Sequence, residues 1–219
     1  MKALVSFVIE GEPVADVGTD HGFVPIDLLA KNKVPFAILT DINEGPLQKA
    51  QNNLNLIEIS NDLYDIRLGS GLVPIKNGEV SSVIIAGMGG ENIIDILAED
   101  INKTKSFKRF ILQPRKRSFM LREWLQNNGF EIKEEKIVKE AGKLCEVFYA
   151  EQGTKKDDIF LPVKMRKDPL FKEFLDDYIR KVNVVIDNMG NSEETKELVK
   201  SWIKRREDAE RIKDEYSPS

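Results

Sequence analysis

The sequence predicts an α/β protein: an open, mostly parallel, Rossmann-like sheet followed by an antiparallel helical hairpin. Short apolar runs that read as buried strands alternate with segments whose apolar residues recur three and four apart, the pattern of β-α-β units. Several runs end in glycine, so the strands open into loops at one edge of the sheet. After Gly153 the composition shifts, and long helical periodicities replace the strand pattern. The expected division is residues 1–153 as one α/β domain and 154–219 as a helical domain, with polar 154–158 as the linker.

Residues 4–9 are largely apolar and form either a short first helix or a segment packed under the sheet. Val14–Val17 is a brief apolar run bounded by Pro13 and Gly18, a buried strand with Asp16 inside it. In Phe23–Ala30, Phe23, Ile26, Leu29 and Ala30 recur at helical spacing, and Pro25 lies in the first turn, where a missing N–H costs little. This order of strand, glycine turn and helix sets free backbone N–H groups and a helix N-terminus at the strand's C-terminal end, where ligands bind in open parallel sheets.

Charge selects the ligand. A dinucleotide loop needs glycines where the backbone approaches a pyrophosphate, yet here the central position is Asp20, with Asp16 close by. Two carboxylates repel a diphosphate and favour a cation. S-adenosylmethionine (SAM) carries a sulfonium and an ammonium against one carboxylate. The next strand, 36–41, ends in Asp41, which can accept both hydroxyls of a ribose, as NAD and SAM sites alike require. Each acid also suits a turn or helix cap, and His21, the single histidine, suits a hydrogen-bonded turn. Three acids at one strand edge favour the cofactor.

Farther along, 45–56 fits an amphipathic helix through Leu47, Ala50, Leu54 and Leu56. Tyr64–Leu68 reads as a third strand that leaves through Gly69-Ser-Gly-Leu72, where small residues either allow the adenine of a SAM site to approach closely at Gly69 and Ser70 or form a plain turn. Ser82–Ala86 is a fourth, entering Gly87-Met-Gly-Gly90 and a helix with apolar Ile93, Ile94, Leu97 and Ile101. Three glycines in four residues leave a backbone floor for something flat, or else serve close helix-to-strand packing. Strand 109–114 places Gln113 at the same edge, before Arg115-Lys-Arg117 and a helix from Ser118 with apolar Met120, Leu121, Trp124 and Leu125. Segments 131–140 and 143–151, split by Ala141-Gly142, read as an antiparallel edge pair. Five strands with intervening helices and a terminal hairpin form the order of a class I methyltransferase sheet.

The C-terminal part is helical from Asp168, with Leu170, Phe171, Phe174, Tyr178, Val182, Val185 and Met189 along one stripe. Gly190-Asn-Ser192 breaks it, and a second helix from Glu193 carries Leu198, Val199, Trp202, Ala209 and Ile212. Facing stripes make a coiled-coil-like hairpin, either a packing arm or one that grips RNA through Lys200, Lys204, Arg205, Arg206 and Arg211.

With 219 residues and 41% hydrophobic content the chain can bury a full core. One cysteine, Cys145, excludes an internal disulfide framework and a multi-thiolate metal cluster, and fits a reducing cytoplasm. No apolar run reaches membrane length, and Met1-Lys-Ala-Leu-Val-Ser does not read as a secretion signal. A net charge of −4 leaves RNA contact to local patches: Lys103, Lys105, Lys108 and Arg109, then Arg115, Lys116, Arg117 and Arg122.

Taken together, Ala15-Asp-Val-Gly-Thr-Asp-His-Gly22 with Pro25, Thr40-Asp-Ile-Asn43, Arg67-Leu-Gly-Ser-Gly-Leu72, Ala86-Gly-Met-Gly-Gly90, Leu112-Gln-Pro114, Leu121-Arg-Glu-Trp-Leu125 and Gly142-Lys143 resemble the bacterial tRNA (adenine-N1) methyltransferase family TrmK. Two departures are Gly22-Phe23 where members often have Ala-Tyr, and Cys145 where they have tyrosine. The resemblance implies methyl transfer from SAM to N1 of adenosine 22 in tRNA, with no metal and no membrane partner. It implies a cofactor site of Asp16, Gly18, Thr19, Asp20, Asp41, Ile42, Gly69, Ser70, Gly87 and Met88. Substrate would meet Gly89, Gly90, Gln113, Arg115, Lys116 and Arg117, and Asp20 and His21 are the candidates for chemistry. Rival expectations are a methyltransferase for protein or small molecules, a non-catalytic RNA-binding protein and, more distantly, an NAD enzyme.

Overall fold

In the computed structural model, which describes residues 1–189 and 193–216, contacts divide the chain into two compact units, Met1–Phe160 and the part from Leu161 onward. The first unit is built on seven strands: β1 (Val14–Val17), β2 (Ala37–Asp41), β3 (Tyr64–Leu68), β4 (Ser82–Ala86), β5 (Arg109–Gln113), β6 (Phe130–Glu140) and β7 (Lys143–Gln152). Their order across the sheet is β3-β2-β1-β4-β5-β7-β6. β1 to β5 run parallel, while β7 pairs antiparallel with β5 and with β6. The order reverses between β1 and β4, and at such a switch point the loops on either side part and leave a crevice.

Strand pleat sorts the core into two clusters. Ala15, Val17, Val83, Ile85, Phe110 and Leu112 join one, and Val14, Leu39, Ile84 and Ile111 join the other. Residues 2–7 form α1 (Lys2–Phe7), which also packs on the sheet, its Phe7 ring edge-on to Tyr149 at 5.1 Å. Helix α2 (Phe23–Ala30) follows β1, and α3 (Glu44–Leu56) follows β2, burying Leu47, Ala50 and Leu54. Leu56, expected on that face, is exposed, because two residues past Leu54 a helix has turned through a little more than half a circle, to its opposite side.

The helix after β4 is also shorter than its apolar spacing suggests. It stops as α4 (Gly90–Ala98), and Ile101 belongs to a separate α5 (Ile101–Thr104). Asp100 divides them: its carboxylate accepts the N–H groups of Asn102 and Lys103, an N-cap that starts a new helix. After β5 comes α6 (Ser118–Asn127). The β6–β7 hairpin turns through Ala141 (φ 46°) and Gly142 (φ 78°), the doubly left-handed pair that a two-residue turn needs.

The boundary between units falls seven residues beyond Gly153, after Phe160. Residues 154–158 do not stand clear as a polar linker: Gln126 exchanges hydrogen bonds with the backbone of Asp157, and Phe160 stacks on Phe119 at 4.9 Å. The second unit contains α7 (Phe171–Asn188) and α8 (Glu193–Glu215). Phe171 meets Tyr216, Asp176 meets Lys213 and Asn183 meets Arg206, so the two helices run antiparallel. Phe171, Leu175, Val182, Ala209 and Ile212 are buried, Leu175 being a core residue outside the expected stripe. The expected break at 190–192 lies outside the described residues.

Candidate functional site

Five loops leave the C-terminal edge of the parallel strands, and the acids and bases separate between them. The β1 loop carries Asp20 and His21 beyond Asp16, the β2 end carries Asp41, and the β5 loop carries Arg115, Lys116 and Arg117. With β2 and β1 on one side of the switch point and β4 and β5 on the other, the crevice is acidic on one flank and basic on the other.

Asp16 is buried at the end of β1, and the hydroxyl of Thr19 donates to its Oδ2 at 2.6 Å. Burial pushes its pKa up to about 6, the negative field of Asp41 adds to the rise, and the Thr19 bond opposes it. Thr19 is itself buried, so its hydroxyl serves Asp16 from behind. The N–H groups of Gly18 and Thr19, expected to be free for a ligand, both donate to the carbonyl of Thr40, at 2.8 and 2.9 Å. Parallel pairing brings the end of β2 alongside this turn, and its last carbonyls need donors. Gly18 is left-handed (φ 74°), and a Cβ there would lie 2.1 Å from Met88 Cε, so Met88 crosses from the β4 loop to cover the first glycine.

Asp41 accepts the N–H of Asn43 on Oδ1 at 2.8 Å, and its neighbour Ile42 is 67% exposed. The Gly69 N–H donates to the carbonyl of Asp41, which ties the β3 exit to the β2 exit. Leu68 and Val73, either side of Gly69 and Ser70 along the chain, are exposed aliphatic residues at this exit. Arg67 shapes this loop from beneath. Its guanidinium grips Glu79 with two hydrogen bonds of 2.7 and 2.8 Å, and also donates to Asp65 and to the Pro74 carbonyl. That pairing holds the Glu79 carboxyl down at about 2.

The glycine floor is only partly bare. Gly90 belongs to close packing: its N–H donates to the Lys116 carbonyl at 2.9 Å, and a Cβ would come 2.5 Å from the Arg117 carbonyl oxygen. Arg115 N–H donates to the Met88 carbonyl, and Gly87 N–H to that of Gln113, so the β4 and β5 loops are laced together. The side chains of Arg115 and Lys116 lie beside Gly87 and Gly89. Arg117, left-handed at φ 55°, pairs with Glu91, and Gln113 is enclosed at the end of β5.

On the acidic flank, His21 stacks flat on Phe23, centroids 5.1 Å apart and planes 7° from parallel. Its Nε2 lies 3.5 Å from Asp20 Oδ2, and both Asp20 and Phe23 face outward.

Several basic residues read as RNA contacts do other work. Arg122 is buried, with Nη2 2.7 Å from Glu135 and 3.0 Å from Glu146 and its guanidinium over the Phe148 ring. Helical spacing turns it inward from Arg117 onto the β6–β7 hairpin. Arg109 opens β5 at the edge opposite the loops, bound to Glu151 and the Phe7 carbonyl, and Lys108 beside it pairs with Glu12. Lys103 and Lys105 precede that strand as well, so this cluster belongs to the other edge. On α8, Lys200, Arg206 and Arg211 pair with acids three or four residues away, and Arg205 lies over the Trp202 ring.

Comparison with known proteins places this architecture. The methyltransferase domain family matches residues 1–148. A Streptococcus pneumoniae protein of known structure is 31% identical, with a TM-score of 0.87 and 97% of each chain covered. The chain belongs to the methyltransferase domain family, and within it to TrmK. A curated relative, the tRNA (adenine(22)-N(1))-methyltransferase of Bacillus subtilis, is 33% identical over 153 residues, 70% of this chain and 64% of its own length, so the match spans less than two thirds of that relative. The B. subtilis m1A22 tRNA methyltransferase TrmK superposes with a TM-score of 0.84 at 27% identity, covering 97% of this chain and 96% of its own. The S. pneumoniae structure with SAM bound gives 32% identity and a TM-score of 0.84, with 95% and 96% covered. No helix among the described residues of this family member is long and apolar enough to cross a membrane.

Proposed function

We propose that this protein methylates N1 of an adenosine in tRNA, position 22, with SAM as donor. The observation that carries the reading is the division of charge across the switch point: acids where a cationic cofactor would lie, bases where an RNA backbone would pass. The residues fit SAM. Asp16 is a buried carboxylate that forms no ion pair among the described residues, so a cation brought near it favours its charged form. Asp41 offers carboxylate oxygens to a ribose, and Ile42, Leu68, Gly69 and Ser70 offer an apolar and small-residue wall to an adenine. Gly18, Thr19 and Asp20 supply the turn, and Gly87 and Met88 the opposite lip. SAM bound there supplies a methyl group on sulfonium sulfur.

The chain's own part is orientation and charge. N1 of adenine already has a lone pair, so no base is needed to create the nucleophile, and methylation leaves the ring cationic. Holding N1 in line is worth up to roughly 7–11 kcal/mol. N1 lies on the Watson–Crick edge, so the base must leave its stack. The open face of the His21–Phe23 pair and the lip at Gly89 and Gly90 are the surfaces offered to it. Asp20 and His21 stand ready to favour the cation or to take a proton from N6. Gln113, Arg115, Lys116 and Arg117 complete the RNA side, with the phosphate contacts resting on the basic three. The chain is read as acting in the cytoplasm, and the unit from Leu161 onward as an accessory helical domain.

The test is incubation with isotope-labelled SAM and unmodified tRNA, followed by mapping of the modified nucleotide. Label on adenine N1 is expected. Label on protein or on another base, or SAM-independent tRNA binding alone, defeats the assignment.

A further inference from the structure

We infer that Asn53 is a positioning residue for methyl transfer: its side-chain amide holds the loop bearing Asp20 and His21 in register with the strand edge. The inference rests on the reading of that loop as the substrate-facing wall. Asn53 lies on α3, and its Nδ2 donates to the carbonyl oxygen of His21 at 2.9 Å. One turn earlier, buried Ala50 lies beneath Gly22, where a Cβ would come within 3.1 Å of the Ala50 Cβ. The loop thus rests on α3 at two points, one steric and one polar, and only the polar one has direction.

A carbonyl held by a donor fixes the peptide plane between His21 and Gly22. Gly22 is left-handed (φ 69°), and glycine leaves that conformation with little steric resistance. Without the Asn53 amide the plane is free to turn, and the imidazole turns with it, away from Phe23 at 5.1 Å and Asp20 at 3.5 Å. The N-terminus of α3 is tied to Asp41 through the Asn43 N–H. One rigid helix therefore spans from the ribose acid to the base-facing loop, and sets the distance between the two halves of the reaction.

His21 is the only histidine, so its imidazole signals in an NMR spectrum of the full chain need no assignment. Asn53→Asp keeps the shape and replaces the donor by an acceptor; Asn53→Leu removes the donor at similar volume and carries the same comparison if the first variant does not fold. Phe23→Leu supplies the spectrum of an unstacked His21. The imidazole signals of the Asn53 variants are expected to move towards that reference. Single-turnover methyl transfer is expected to fall roughly 10- to 100-fold, and adenosylhomocysteine affinity to stay within about twofold. Unchanged imidazole signals overturn the inference whatever happens to turnover. Loss of adenosylhomocysteine affinity together with turnover also overturns it, since the whole site has then collapsed. Moved signals with unchanged turnover defeat the underlying placement of the loop at the reaction, and with it the role of Asn53 in catalysis.

Discussion

Asp16→Asn should make the protein more stable and the enzyme worse. Burial raises the Asp16 pKa from 3.8 to about 6, and at about 1.36 kcal/mol per unit the ionised form costs the fold about 3 kcal/mol at neutral pH. The sign follows from proton counting. Between those two pKa values the folded chain binds more protons than the unfolded one, so stability falls as pH rises through the window and levels off above about 6. Asparagine does not titrate, and its amide oxygen can still accept from the Thr19 hydroxyl. The gain over wild type should therefore be near zero at pH 4 and reach up to about 3 kcal/mol above pH 6.5, a rise in Tm of several degrees in a chain of this length. Differential scanning calorimetry from pH 4 to 8 measures the first part, and titration with adenosylhomocysteine the second, where affinity should drop. A variant destabilised equally at pH 4 and pH 7.5 would refute the reasoning, because Asp16 would then act only as a neutral hydrogen-bonding group.

Glu79→Gln has the opposite signature. The Glu79 carboxyl is held at about 2 against an ordinary 4.5, and because water reaches and screens the Arg67–Glu79 pair the variant should lose roughly 1 kcal/mol at neutral pH, a deficit that disappears as pH falls from 4.5 towards 2, with weakened cofactor binding at the β3 exit; urea titrations at several pH values check it. Gly90→Ala drives a Cβ into the Arg117 carbonyl and should cost roughly 1–3 kcal/mol, read as a lower urea midpoint. Arg122→Met leaves buried Glu135 and half-buried Glu146 without their shared partner and should cost roughly 3 kcal/mol, visible in Tm. Arg115→Ala should leave Tm unchanged and reduce the salt slope of tRNA binding by about 1 in filter binding across a salt series.

The local order of this chain was legible from its residues. All five parallel strands begin or end within a residue or two of where apolar runs meet Gly, Pro or Asp, because a short buried strand is written in consecutive side chains. The β6–β7 turn was legible as Ala141-Gly142, and the start of α2 through Pro25. The acids of the first loop were legible as well, since charge is a property of residue type.

What only tertiary structure decided is where each charge ends up and which backbone groups remain available. Arg122 and Arg115 are the same residue type a few positions apart, yet helical rotation buries the first against Glu135 and Glu146 and leaves the second beside Gly87. Lys108 precedes β5 and Arg109 opens it, whereas Arg115 to Arg117 follow it, and one strand length carries the two clusters to opposite edges of the sheet. The Gly18 and Thr19 N–H groups are consumed by Thr40, and Gly90 by the Lys116 carbonyl, through neighbours distant in sequence. Sequence by itself determined the strands, the turns and the sign of the first loop's charge, because those depend on residues next to one another. The crevice, the supports beneath it and the fate of each arginine depend on strand order and helix rotation, which bring together residues that the linear chain keeps apart.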